Sequence, residues 1–462
     1  MTPDQEKSVL ATLYDRLYDA LTYVPGGGKT GDFDKATTLL QMTKNYVLNP
    51  ADFRNAISSI NPAGTQTTAY AFSAMVDAVP AVGPEWADSG KKVSLTFKGI
   101  VDGANAENKE DPEARTLYDK AYAFLNATTS IPNVVGPPTV SSGPSPIALS
   151  YDQNQTAYVN AIGGYRLAYN GYDLSKIDDQ RKWQAVAPGL QNTVDQSWNK
   201  WVREGKQNVE TAENLLRTSI NNAISAAIRQ AQDGMGDQNA MAALTGTGDK
   251  WFLSHAMPTN WCEPTCRGSQ LTLSSKSLAT QSSEQATEYS SHSKGIFWWG
   301  SRSTNGKTEG ESTSMQASEF ELTAELIIVR IRRPWLNNVL FSMTDWSAKG
   351  IAPNGISNGQ LKGNESAMLP LIPTAFIVAK DVTIKANFTD QDTKRFSSEK
   401  TDESSWGWGW GPFSGGGTYF KNKEKGDTFK STFSNGVLKL PGLQVVAWVS
   451  SITPPSPPKA AK

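Results

Sequence analysis

The hydrophobic period changes part-way along the chain: to about residue 235 apolar side chains recur at helical spacing, and beyond about 250 they alternate with polar ones. Leu10, Leu13, Leu17 and Leu21 follow Thr2, Pro3 and Gln5, which suit a cap, a first turn and a capping-box partner. The pattern predicts a helix to about Tyr23 and others at about 33–46, 51–60, 66–78 and 111–126. Residues 93–101 read equally as strand or helix. The run from Ile131 to Pro146, IPNVVGPPTVSSGPSP, lacks amide donors at its prolines and predicts a linker. After it, Tyr151, Tyr158, Tyr165 and Tyr172 recur every seventh residue with Ile162 and Tyr169 between, predicting a helix with an aromatic packing face.

The most regular pattern follows. Val194, Trp198, Trp201, Gly205, Val209, Ala212, Leu216, Ile220, Ala223, Ala227 and Ala231 repeat every eleven residues, which predicts one continuous helix. At ~1.5 Å per residue that rod would be about 57 Å long. Its seam, with Val194, Trp198, Trp201, Val209, Leu216 and Ile220 as the larger members, is a candidate packing surface between subunits.

In the C-terminal half Phe320, Leu322, Ala324, Leu326 and Ile328 alternate with Glu321, Thr323 and Glu325. Val382, Ile384, Ala386 and Phe388 do the same around Thr383 and Lys385. Residues 334–341 align without a gap on 441–448, sharing Pro-x-Leu-x-x-Val-x-aromatic. Upstream of each lies an aromatic–glycine cluster, Gly295–Gly300 and Trp406–Phe413. Together these predict a duplicated module, about 268–345 and 372–452, of strand, polar arm, aromatic apex, polar arm, strand, proline corner and strand. The arms are too polar on both sides to span lipid as strands. Polar strands of this kind hold register weakly and recruit strands from neighbouring chains. If extended, Trp406, Trp408 and Trp410 project from one face between glycines, and with Trp298, Trp299 and Phe413 they are the candidate assembly or surface-binding residues.

Composition narrows the function. Lys plus Arg number 44 against 45 Asp plus Glu, for a net charge of −1, so the basic footprint of a nucleic-acid binder is missing. The N-terminus has no basic-then-apolar signal, and no apolar run reaches the ~18 residues of a membrane helix, so the expectation is cytoplasmic synthesis, with any release by a non-classical route. Gly26-Gly27-Gly28-Lys29-Thr30 fails as a phosphate loop, because the first glycine of that motif would fall on Tyr23 and a helix precedes it. His255, Cys262 and Cys266 lack zinc-site spacing and a fourth ligand, leaving free thiols or a short-loop disulfide as the simpler readings. No nucleophile–base pair or paired-carboxylate signature emerges, so neither a catalytic residue, a metal nor a cofactor is expected.

The sequence therefore reads as an α+β protein: a helical domain over 1–130, a linker over 131–148, the long-helix region over 149–235 and the duplicated β-rich domain over 250–462 with its proline-rich tail. The function expected is non-enzymatic self-assembly into a homo-oligomer. The alternatives are a membrane-acting or pore-forming protein that engages lipid, and a carbohydrate-binding module whose tryptophan–glycine strip engages glycan.

Overall fold

The computed structural model describes residues 3–23, 33–44, 46–58, 61–106, 111–131, 138–219, 223–236, 239–241, 250–274, 282–292, 297–301, 312–313, 320–388, 390, 393, 406–420 and 427–459. The class is α+β, with a large antiparallel sheet in the C-terminal half.

Helix α1 (Pro3–Thr22) forms where the leucine spacing predicts it and buries Leu10, Leu13, Leu17 and Leu21. The expected helix at 33–46 is instead strand β1 (Thr38–Met42) and strand β2 (Val47–Leu48). Every residue of both is buried, so neither carries a polar face to betray a period of two. A single 3-10 turn, Pro50–Asp52, stands in the stretch 51–60. Helix α2 (Gln66–Met75) falls within the predicted span, and the ambiguous 93–101 piece is helix α3 (Val93–Asp102). Helix α4 (Pro112–Leu125) begins where Asp111 accepts from the Glu113 amide. Within the expected linker the chain forms strand β4 (Thr139–Pro144), paired along its length to β3 (Asn126–Ile131). The Ser/Thr-rich strands suit β structure, and Pro144 stands at a strand end where a missing donor is tolerated.

Ser145 caps helix α5 (Pro146–Tyr169), which carries the tyrosine stripe. The predicted rod is three helices: α6 (Ile177–Arg203), α7 (Lys206–Ser219) and α8 (Ile224–Gly234). The first break is at Gly205, whose φ of +102° favours glycine and whose Cβ, were there one, would lie 2.9 Å from Ile147 Cγ1. Apolar spacing survives the break, but the core it feeds changes within α7. Val194, Trp201 and Val209 pack with Tyr151, Tyr158 and Ile162, whereas Ala212, Leu216, Ala223, Ala227 and Ala231 enter a second core with Phe97, Tyr118 and Trp335.

The central and apex sheets, with one more helix, are built from β5 (His255–Met257), β6 (Ser269–Ser274), α9 (Glu284–His292), β7 (Phe297–Ser301), β8 (Ser312–Thr313), β9 (Phe320–Arg332), β10 (Leu371–Ala386), β11 (Trp406–Trp410), β12 (Phe413–Ser414), β13 (Thr432–Ser434), β14 (Val437–Lys439) and β15 (Leu443–Ile452). The central sheet runs β1-β15-β10-β9-β5, with β6 beside β5 on the edge of β9, β14 beside β15 on β10, β2 on β15 and β13 on β14. The N-terminal strands are thus built into the C-terminal sheet, and α1 shares its core.

Both faces of this sheet are covered. On β9, Phe320, Leu322, Ala324, Leu326 and Ile328 face the core containing α1, while Ile327, Val329 and Ile331 face a second core with Phe72, Trp261 and Cys262. On β10 the first core takes Ala375, Ile377 and Ala379, then Val382, Ile384 and Ala386. The change of parity is a bulge at Asp381, whose φ is +52°: partners advance from Thr323 with Thr383 to Glu325 with Lys380, three residues against two.

The duplication holds in part. Strands β6 and β9 form one hairpin and β10 and β14 another, and the segments 275–319 and 387–431 connect them. Ser274 pairs Glu321, Phe320 pairs Ala386 and Val437 pairs Lys385, so both segments leave and return at one end of the sheet. The proline corners, however, are not equivalent. Gly442, at φ +73° and closely packed on β2, lets the chain turn straight into β15, which carries Leu443 and Val446. At the matching position Trp335 packs on Phe97 and Phe252 and draws the chain away from the sheet, so Val339 lies in a 3-10 turn and Leu336 just before it.

Candidate functional site

The two aromatic apices meet. Strand β7 pairs antiparallel with β11, matching Phe297 to Trp410, Trp299 to Trp408 and Ser301 to Trp406. Strand β8 pairs only Phe297 and Trp298 of β7, and β12 pairs only Gly409 and Trp410 of β11. The strand Gly416–Thr418 lies alongside β11, and residues 302–311, which join β7 to β8, are outside the described residues.

Trp410 and Phe413 are not surface anchors. Both are fully buried in the principal core, where their rings stack 6.0 Å apart and Phe320 lies 4.6 Å from Trp410. Burying a tryptophan removes roughly 200 Å² from water, and the sheet beneath β11 supplies the partner surface that the sequence left open. The side chains of Trp298, Trp299, Trp406 and Trp408 lie outside the described part of the structure, as does Ile220.

The seam is likewise consumed within the chain. Tyr151 and Tyr158 pack on Trp201, Tyr158 on Trp198, and Tyr165, Tyr169 and Tyr172 on Trp183. The Lys206 ammonium sits 4.8 Å from the Trp201 ring centroid and 5.2 Å from that of Trp198, and pairs with Glu210 at 2.6 Å. Helices α5 and α6 are therefore a hairpin held by an aromatic ladder. Val194, Trp201, Val209 and Leu216 are buried, and Trp198 is 36% exposed.

The face of α5 turned to the sheet is mixed: Val159 and Leu167 join the principal core, and polar side chains lie beside them. Asp152 pairs with Arg332, Gln155 accepts from Arg330, and Asn160 bonds the Ile328 amide at 3.1 Å. Gly164 permits this close approach, since a Cβ there would lie 2.7 Å from Ser269 Oγ. Burial pushes the Asp152 and Glu213 carboxyls up and the Arg330 guanidinium down. The signal for this seam was Arg330 and Arg332 among the apolar residues at the end of β9, with Arg333 just beyond it. Arg333 itself points the other way, donating to the carbonyls of Pro373 and Val76.

His255 stands opposite Arg332 and so shares the α5 side of the sheet, whereas Cys262 and Cys266 lie in the core on the other side. The three do not converge on a metal. Both cysteines are free and buried, and desolvation pushes the Cys262 thiol up to about 12. Among the described residues no group of three or more His, Cys, Asp or Glu could hold a metal ion, and no helix is long and apolar enough to cross a membrane. Residues 26–30 lie outside the described part.

No protein-family model, curated protein or solved structure matches this chain.

Proposed function

We propose that this is a non-enzymatic protein that works by assembling with copies of itself through the apex sheet. The observation that carries the reading is the meeting of the two aromatic apices in one small sheet, β7 on β11. Short aromatic, glycine-rich strands carry backbone donors and acceptors to which a strand of another copy can add. Added head-to-tail from copy to copy, such strands would build a ring or a filament.

Light scattering on size-exclusion fractions over a range of concentrations tests this. Multimers are expected, and a quadruple change of Trp298, Trp299, Trp406 and Trp408 to Ser should weaken them while the helices keep their circular dichroism. A monomer at every concentration sinks the proposal. A second reading, action at a membrane, draws on the gathering of five tryptophan-bearing positions into one small sheet, because tryptophan favours the membrane–water interface. Liposome binding without self-association would favour it, and glycan-dependent tryptophan fluorescence would favour a carbohydrate module instead.

A further inference from the structure

The interface between α5 and the sheet contains a group that neither the ladder nor the apex sheet uses. His255 is only 4% exposed, on the short edge strand β5, and neither ring nitrogen has a hydrogen-bond partner among the described residues. Its cross-strand neighbour is Arg332, with Arg330 two residues along on the same face. From α5, Asp152 is committed to Arg332 and Gln155 to Arg330. From α7, Glu213 and Glu210 lie around Tyr151 and Asp152. Helix α2, which also packs on β5, has no acidic or basic residue and only Tyr70 that titrates. Among the described residues, the one charge that acts on the His255 ring is that of Arg332. Thr156 Oγ1 and Arg332 Nε are also buried there without a partner among the described residues, so this seam is poorly satisfied even at neutral pH.

We propose that His255 is an acid-responsive latch: a proton gained beside Arg332 loosens α5, and the α6 helix bound to it, from the central sheet. Apolar helix–sheet interfaces are indifferent to pH, but here a new charge would be buried beside an existing one of the same sign. Burial, with the Arg332 charge adding to it, already pushes the ring down to about 4. Because the ladder rings of α5 and α6 pack on each other, the pair would move as a unit and uncover the polar seam. The latch does not depend on the assembly reading.

Hydrogen exchange on the full chain at pH 7.5 and pH 5, corrected for intrinsic rates, tests it. Amides of α5 and α6 should exchange about thirtyfold faster relative to the β9–β10 core at the lower pH. His255→Leu, which gives up no protein hydrogen bond, should abolish that gain. A parent with no acid-dependent opening overturns the proposal, and so does a variant that opens like the parent. Should His255→Leu not fold, His292→Gln leaves His255 the single histidine, whose ring can be titrated by NMR. Its protonation should coincide with loss of protection in α5. A ring that titrates near about 6.5 while α5 stays protected refutes the latch.

Discussion

The α5–α6 ladder and the apex sheet both gather tryptophans, but by different means. In the ladder, rings from two facing helices fill the spaces between one another, and Trp183 alone touches three tyrosines. In the apex strand β11, glycine alternates with tryptophan, so every second position has no side chain with which to close a core. A helix pair satisfies its own backbone and needs only a side-chain partner. A two-strand ribbon needs a surface for its rings and partners for its edges. The chain supplies the surface for Trp410 and sets the strand Gly416–Thr418 alongside β11.

Breaking each group at its most buried ring has the largest expected effect. Trp201→Ala and Trp410→Ala should each cost about 3–5 kcal/mol in denaturant unfolding, because both rings are almost wholly enclosed. An unchanged midpoint for Trp410→Ala would mean that β11 is not anchored to the core.

Acid separates the two groups next. The folded-state value of His255 lies below its ordinary one, so stability is full above about 6.5 and lost as the pH falls toward about 4. The loss is about 3 kcal/mol over that window. Asp152 and Glu213 are raised, so their protonation alone favours the folded state, and only the difference between parent and His255→Leu isolates the histidine. Urea midpoints measured from pH 7.5 to 4 give that difference, which should fall on α5–α6 and spare the apex sheet.

Gly205→Ala sharpens the comparison more gently. A side chain at φ +102°, crowded by Ile147, should cost about 1–2 kcal/mol and show first as exchange at the α6–α7 junction. The smallest effect is expected of Lys206→Met, which removes the cation from the Trp198 and Trp201 rings and from Glu210. A loss of about 0.5–1 kcal/mol is expected, partly erased by salt in the parent. No change at any ionic strength would show the ladder to be held by ring packing alone.

Where one side of an element faces water, its period could be read directly: α1, α2, α4, α5 and the first turns of β9 all lie where the apolar spacing puts them. Strands β1 and β2 could not be read, because burial on every side erases the alternation. The aromatic positions were legible as well. Their destinations were not, since the same residue types enclose the ladder and anchor β11.

The sequence by itself determined the α+β class, the tyrosine stripe of α5, the alternation along β9 and β10 and the pairing of each polar segment with an aromatic apex. Those features depend on neighbours within one or two turns or strand repeats, which local periodicity records. Tertiary structure decided that the N-terminal strands join the C-terminal sheet, that Gly205 bends the predicted rod and that the two proline corners diverge. It also decided that Trp410 turns inward while His255 lies beneath α5 opposite Arg332. Each of these follows from contacts between residues far apart in the chain, whose energies no local pattern carries.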